Sequence, residues 1–289
     1  MRSGIRLDQP LSQQYADVFP WFPTQLFAPV WFPMILPAAG FGPSPRPRLQ
    51  LLQIDSEIGP VGAPKGLTYR TSPTVAIAKG GQRYVLKRDN IITVVAEWLG
   101  YGLASLVHLP VPPCRLARIG NAYSFCSELQ ERTDPIPFLD RGRVVNPTIV
   151  ADAIAFDIWV ANDDRNTGGF VTRIPETGVA GHVEVLAIDF ECAHVLRGLS
   201  SIQVNMKPLL PRHEVLRYVP VVENPFQTMC TRISNLTEGN IRSVFESLRF
   251  PDDGLFQPLY PSWADDAIRQ LTHRASRISE SVKEVLHAK

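Results

Sequence analysis

The stretch WVANDDRNTGGFVTR, residues 159–173, decides how this chain is interpreted. Two adjacent carboxylates, an arginine, an asparagine and a Gly-Gly pair follow an apolar run, NPTIVADAIAFDIWVAN at 146–162, which has an Asn-Pro start and helical spacing. Two short apolar segments, 168–174 and 183–190, bracket PETGVAGH and predict a β-hairpin. The polar residues therefore form a loop between a helix and a hairpin, either as an ordinary turn or as a site of chemistry.

The chain upstream of this loop has the pattern of an antiparallel sheet with one long helix. The helix is predicted from NIITVVAEWLGYGLASLVHL, residues 90–109, where Ile92, Val95, Leu99, Leu103 and Leu106 recur at helical spacing before the stop PVPP. The glycine pair in KGGQR predicts a hairpin turn between two strands. Four short runs read as strands: LQLLQI (49–54), TVAIAK (74–79), RYVLKR (83–88) and AYSFC (122–126).

The chain downstream of residue 132 is mainly helical, with further helical patterns at 238–248 and from Trp263 to about Leu286. We therefore predict an α+β, two-lobed fold. Its N-lobe (49–130) is a small antiparallel sheet with one long helix, and its C-lobe (131–289) is mainly helical. Residues 1–48 form a Pro- and aromatic-rich extension ahead of both lobes.

The extension has prolines every few positions, which would break a membrane-spanning helix, and its apolar part starts too far in for a secretory signal. Two interpretations stay open: a disordered or loosely packed extension, or a start assigned too early, with Met34 or a later position as the real beginning.

Composition gives no indication of a nucleic-acid or membrane partner, of disulfide bonds or of a zinc site. Lys plus Arg number 29 against 28 Asp plus Glu, which gives no reason to expect nucleic acid or a membrane as partner. The four cysteines are widely separated and lack a C-x-x-C pair, so we expect buried free thiols in the cytoplasm. The six histidines are scattered, so no zinc-type cluster is predicted.

Four charged residues fall where phosphoryl transfer needs them. Lys87 ends the strand RYVLK, Glu97 lies in the middle of the next helix, and Asp164 and Asp189 flank the predicted hairpin. Transfer requires a lysine on the phosphates, a glutamate to orient it, one aspartate near the attacking hydroxyl and another on Mg²⁺. The order of these elements matches a kinase.

Four separated motifs carry a family resemblance. F-D-x-x-x-x-N-x-D-R is present as Phe156, Asp157, Asn162, Asp164 and Arg165, and VLAIDF follows it; YVLK, AEWLG and LPVPP precede it, and PSWADDAIRQLTHR comes near the end. In this order the chain resembles the HipA-like kinases, relatives of the protein kinase and phosphatidylinositol 3/4-kinase fold, from about residue 50 onward.

The resemblance implies roles for individual residues. Asp164 would be the catalytic-loop aspartate, Asp189 would bind Mg²⁺, Lys87 would contact the ATP phosphates and Glu97 would pair with Lys87. The backbone at the lobe junction, Glu128, Leu129 and Gln130, would meet adenine. Thr71 and Ser72, within GLTYRTSPT, would belong to the phosphate-covering loop, although this segment has no G-x-G-x-x-G. The implied reaction is ATP-dependent phosphorylation of a hydroxyl, most simply a protein Ser or Thr, with a protein substrate or regulatory protein as partner.

One position departs from the kinase pattern. Kinases of this fold carry a metal-binding asparagine five residues after the catalytic aspartate, where this chain has Gly169. Asn166 is the nearest substitute for this ligand. If nothing replaces it, catalysis should be weak or lost, so a pseudokinase or nucleotide-binding interaction module is the alternative function.

Purely structural roles also stay open for these residues. Lys87 could be a solvated lysine, Glu97 part of a polar helix face, and Asp164 a turn residue. Asp157 is expected to brace the loop by hydrogen bonding, and Asp163 to face solvent.

Overall fold

The structure is a computed structural model that describes residues 51–60, 73–88, 90–130, 143–175, 181–198, 213–216, 218–220, 222–248 and 260–287. The chain divides at Pro47, and every described residue belongs to the unit Arg48–Lys289. The predicted extension 1–48 lies outside the described residues.

A five-stranded antiparallel sheet forms the first part of this unit, in the order β1-β2-β3-β5-β4. The first strand was predicted at 49–54, whereas β1 pairs with β2 from Ile54 to Pro60; residues 49 and 50 lie outside the described residues. The fourth strand was not predicted; its two arginines leave a weak apolar alternation directly after PVPP. The strands are β1 (Ile54–Pro60), β2 (Thr74–Ala78), β3 (Arg83–Lys87), β4 (Cys114–Ile119) and β5 (Ala122–Glu128).

Alternation along β3 decides which way Lys87 points. Leu86 pairs with Cys126 of β5, and both belong to a buried cluster with Ala76 and Ala117 on one face of the sheet. Lys87 pairs with Phe125 and so faces the opposite side, since successive residues of a strand alternate between faces. That side is covered by the long helix.

The long helix, α1 (Ile91–Leu106), starts where predicted. The Asn90 side chain caps it by accepting a hydrogen bond from the Thr93 N–H at 2.8 Å. The predicted apolar stripe is wrong at its start, because Ile92 is 44% exposed. From Thr93 to Tyr101 every residue is buried, because the helix contacts the sheet on one side and the helical lobe on the other.

The second part of the unit is mainly helical, as predicted, with one hairpin. The predicted helix at 263–286 is interrupted at Arg277, and the segment QTMCTRIS forms a short helix that its few apolar residues did not reveal. The elements are α2 (Ile149–Val160), β6 (Phe170–Arg173), β7 (Glu184–Ala187), α3 (His213–Leu216), α4 (Gln227–Ser234), α5 (Glu238–Glu246), α6 (Ala264–Ser276) and α7 (Ile278–His287).

The helix α2 is buried over its whole length, and α6 holds its C-terminal end. The guanidinium of Arg274 donates to the carbonyl oxygens of Trp159, at 2.6 Å, and of Ile158. The Trp159 indole N–H donates in return to the Leu271 carbonyl at 2.9 Å. Burial lowers the pKa of Arg274 to about 10. Carbonyl groups that the helix leaves unpaired at its end are thus satisfied, and the start of the polar loop is fixed.

Two expectations from composition can be compared with this structure. All four cysteines are buried and none of them forms a disulfide bond, as predicted. Among the described residues, no helix has both the length and the apolar character needed to cross a bilayer.

Candidate active site

Three segments bring charged groups together around Lys87. Its Nζ lies 2.5 Å from Oε1 of Glu97 on α1 and 2.7 Å from Oδ1 of Asp189, which follows β7. A third carboxylate, Glu191 Oε2, lies 3.3 Å from the same Nζ. Among the described residues, one ammonium and three carboxylates thus meet in the cleft, defined as the space between β3, α1 and the segment after β7.

Burial makes this cluster electrostatically unusual. The side chain of Glu97 is 1% exposed and that of Lys87 is 15% exposed. Burial alone would lower the pKa of Lys87, but Asp189, Glu97 and Glu191 raise it well above its ordinary value. Burial raises the pKa of Glu97; Lys87 opposes this shift, and the other two carboxylates add to it. The lysine is therefore charged, and negative charge is in excess around it.

The segment that carries Asp189 is held against α1. The Glu97 Oε2 accepts a hydrogen bond from the Phe190 N–H at 3.3 Å. The Phe190 ring packs edge-on against Tyr101 and Phe156. A Cβ added at Gly100 would lie 2.4 Å from the Phe190 Cβ, so only glycine allows this approach.

The backbone of Asp189 is in the left-handed region, with φ of 69°. Residues other than glycine adopt this conformation rarely, and they do so often at functional sites. The Asn162 amide donates to the Asp189 carbonyl at 3.4 Å, which joins this residue to the loop after α2. The unusual backbone sets the direction of the carboxylate that reaches Lys87.

The loop after α2 begins at Ala161, which is also left-handed and ends the helix. The Asp164 N–H donates to Asn162 Oδ1 at 3.4 Å, and the Cys192 thiol lies 3.8 Å from Asp164 Oδ2. Asp164 is thus beside the segment that carries Asp189 and Glu191. The Asn166 amide donates to the Asp164 carbonyl at 3.0 Å and accepts from the Gly168 N–H at 2.8 Å, as in a turn cap.

A buried arginine joins these loops. Arg165 is paired with Asp157, whose Oδ2 lies 2.7 Å from Nε and whose Oδ1 lies 3.0 Å from Nη2. Its Nη1 donates to the carbonyls of Gly169, at 2.7 Å, and of Ile188. Its guanidinium also lies over the Phe190 ring, 5.1 Å from the centroid. Arg165 therefore fixes the polar loop to the residue that precedes Asp189.

Asp157 has the bracing role that the sequence indicated, since it also accepts from the Asn162 amide at 2.9 Å. Burial raises the pKa of Asp157, and Arg165 opposes that rise. Asp163 is exposed as expected, and its carboxylate lies 3.1 Å from His194 Nε2.

The position that departs from the kinase pattern is closely packed. A Cβ added to Gly169 would lie 2.7 Å from Nη1 and 3.3 Å from Cδ of Arg165. The buried guanidinium thus occupies the space that a side chain at 169 would enter.

The oxygen atoms around Lys87 suit a hard divalent cation. One ligand oxygen from each of Glu97, Asp189 and Glu191 lies within 4.8 Å of the others. Carboxylate oxygens are the ligands that Mg²⁺ prefers, and a divalent cation would balance the excess negative charge.

Comparison with solved structures assigns the fold. A kinase from Helicobacter pylori, described as the proinflammatory kinase CtkA, has a TM-score of 0.53 at 12% identity, over 84% of this chain and 100% of its own. The fold is kinase-like. No protein-family model matches the chain, and no curated protein matches it.

Two further structures are similar at lower scores. In the complex of HipA, HipB and operator DNA from Shewanella oneidensis, the match has a TM-score of 0.45 at 12% identity, over 99% of this chain and 76% of that one. The Rio2 kinase from Chaetomium thermophilum, in its ADP/Mg²⁺-phosphoaspartate complex, has a TM-score of 0.37 at 14% identity. The match covers 80% of this chain and 69% of the Rio2 chain.

The remaining predicted residues are those expected to contact the nucleotide. Glu128 ends β5, and its N–H donates to the Pro113 carbonyl at 2.8 Å; the Leu129 N–H donates to the Arg83 carbonyl at 3.0 Å. The Gln130 side chain donates to the Glu128 carbonyl at 3.0 Å. Two of the backbone donors expected to meet adenine are therefore engaged within the protein. Thr71 and Ser72 lie outside the described residues.

The sequence analysis missed Glu191. Its position two residues after Asp189 could have drawn attention to it, but Asp189 has a left-handed backbone and this segment is not a strand, so the sequence does not predict where its side chain points. The structural role of Arg165 was also missed, since a charged side chain is normally expected at the surface.

Proposed function

We propose that the protein is an ATP- and Mg²⁺-dependent kinase that transfers the γ-phosphoryl group to a hydroxyl, with a protein Ser or Thr as acceptor. The observation that carries this proposal is the convergence of Lys87, Glu97 and Asp189 from three separate segments of a kinase-like fold. The choice of acceptor, and of a protein substrate or regulatory partner, rests on the resemblance to the HipA-like kinases.

Each of the cleft residues would have a separate role in phosphoryl transfer. Lys87 would hold phosphate oxygens of ATP, and Glu97 would orient Lys87. Asp164, on the loop after α2, would hold the acceptor hydroxyl and take its proton. The backbone of Glu128 to Gln130 would meet the adenine ring through groups other than the Glu128 and Leu129 N–H donors, which are already bonded within the protein.

The carboxylate of Asp189 would hold Mg²⁺, with the amide of Asn166 as the candidate second ligand. Mg²⁺ bound there would neutralise charge on the phosphate oxygens. The Asn166 oxygen already accepts one hydrogen bond, from Gly168, so a cation would use its second lone pair.

The test is transfer from radiolabelled ATP to the protein itself or to a lysate protein. Asp164→Asn and Asp189→Asn should each lose labelling by about 100-fold or more, as expected when a group needed in the transition state is removed. Asp163→Asn is the matched control, because this exposed carboxylate is the immediate neighbour of Asp164. Full labelling by both test variants would refute the assigned roles.

A pseudokinase is the second candidate, and Gly169 is the observation that favours it. Such a protein would bind nucleotide without transferring phosphate. Thermal shift separates the two candidates, because a ligand that binds only the folded state stabilises it by RT ln(1 + [L]/Kd). Stabilisation by Mg-ATP without labelling would support the nucleotide-binding pseudokinase, and no stabilisation would refute the kinase and leave an interaction module that binds no nucleotide.

A further inference from the structure

Glu191 approaches Lys87 from the segment that also carries Asp189. Phe190, between these two acidic residues, turns into the aromatic core against Phe156. Asp189 and Glu191 nevertheless both bring a carboxylate oxygen to Lys87. The side chain of Glu191 is 10% exposed, and its Oε2 lies 3.3 Å from Lys87 Nζ.

The two glutamates hold Lys87 from different elements. Glu97 belongs to α1 and is fixed by its second oxygen to the Phe190 N–H. Glu191 belongs to the segment after β7, two residues after Asp189. Both glutamates contribute to the raised pKa of Lys87. Lys87 is therefore hydrogen-bonded to Glu97 and in ion-pair contact with Glu191.

The carboxylate of Asp189 would have two different partners, the ammonium of Lys87 and a divalent cation. In this structure it binds Lys87 at 2.7 Å, whereas in the proposed reaction it serves a divalent cation. When Asp189 turns from the lysine, Glu97 and Glu191 are the carboxylates that still hold Nζ. An ammonium kept between two fixed anions stays oriented, while one with a single anion can swing away.

We propose that Glu191 is a second positioning residue for Lys87, acting alongside Glu97 to aim the ammonium at the phosphates of a nucleoside triphosphate. This inference rests on the proposed function and deepens it. Glu191 acts through the lysine and takes no part in proton transfer.

The kinetic test compares Glu191→Gln, Glu97→Gln and the double variant. Each single change should raise KM for ATP by about tenfold, the effect of losing one charge-assisted contact, with a smaller effect on kcat. The double change should raise KM by more than the product of the single effects, because each glutamate compensates for loss of the other. Glu191→Asp, which keeps the charge on a shorter side chain, should recover part of the affinity.

A Lys87→Met background shows whether Glu191 acts through the lysine. There, Glu191→Gln should leave the Kd for Mg-ADP, measured by calorimetry, unchanged. A full effect of Glu191→Gln in that background would overturn the inference, because the carboxylate would then act on nucleotide or cation directly.

Acylation of the lysines, followed by mass spectrometry, tests the contact without nucleotide. Glu191→Gln should increase labelling of Lys87 severalfold relative to the exposed Lys79. If the wild type binds no Mg-ATP but this labelling rises, the kinase proposal fails while the Lys87–Glu191 contact stands. If the wild type binds Mg-ATP and the variant changes neither KM nor labelling, the inference alone is overturned.

Discussion

Replacement of Gly169 by alanine and by asparagine tests why this position lacks a side chain. In alanine the new Cβ would lie 2.7 Å from Arg165 Nη1, about 0.7 Å closer than the 3.4 Å at which ordinary contacts begin. The arginine cannot move freely, because the same nitrogen donates to the carbonyls of Gly169 and Ile188. Relief of the overlap must therefore lengthen at least one charge-assisted hydrogen bond.

The magnitude follows from these contacts. Overpacking a filled interior costs about 1–3 kcal/mol, and a hydrogen bond to a charged group contributes a similar amount, so we expect Gly169→Ala to lower the free energy of unfolding by about 2 kcal/mol. For a unit of this size the melting temperature should fall by about 4–8 °C. Urea denaturation and thermal melting measure both quantities. A change below about 0.5 kcal/mol, the usual range for a surface substitution, would refute the packing argument.

The asparagine variant is then compared with the alanine variant and not with the wild type. Both carry the Cβ, so their difference isolates the carboxamide. If a missing metal ligand limits activity, Gly169→Asn should exceed Gly169→Ala in affinity for Mg-ATP and in phosphate transfer. Equal values for the two variants would mean that Asn166 or another group already supplies the ligand.

Three further substitutions test the framework around the cleft. Arg165→Met leaves the buried Asp157 carboxylate without its cation and should cost about 3–5 kcal/mol in urea denaturation; a cost below 1 kcal/mol would contradict the buried pair. Arg274→Met keeps the apolar stem but removes the donors at the end of α2, and should cost about 1–3 kcal/mol; an unchanged unfolding midpoint would argue against this cap. Gly100→Ala brings a Cβ within 2.4 Å of Phe190 and should both lower stability by about 1–3 kcal/mol and weaken binding of Mg-ADP; unaltered calorimetric affinity would separate this contact from the cleft.

Much of the fold could be predicted from periodicity. The strand RYVLK and the long helix after it were predicted with boundaries close to those observed, because strand and helix periods differ clearly there. Strand β4 was missed because its two arginines weaken the apolar pattern. The break at Arg277 was missed because α6 and α7 continue a similar amphipathic pattern on both sides of it.

The candidate site was predictable where a residue ends a regular element. Lys87 ends one apolar strand and Asp189 follows another, and the structure brings their charged groups to 2.7 Å. Arg165 and Glu191 depend on tertiary packing instead. Nothing local in the sequence indicates that the arginine is enclosed between aromatic rings, or that Phe190 turns inward and leaves the next carboxylate facing the lysine.

The two oxygens of Glu97 serve different neighbours. One binds the amine at the end of β3, and the other accepts from the peptide N–H that follows Asp189. Outward movement of α1 by a few ångströms would break both bonds together. Glu97 would then release both Lys87 and the segment that carries Asp189 in a single step, so a molecule that pulled on this helix would weaken both sides of the site at once.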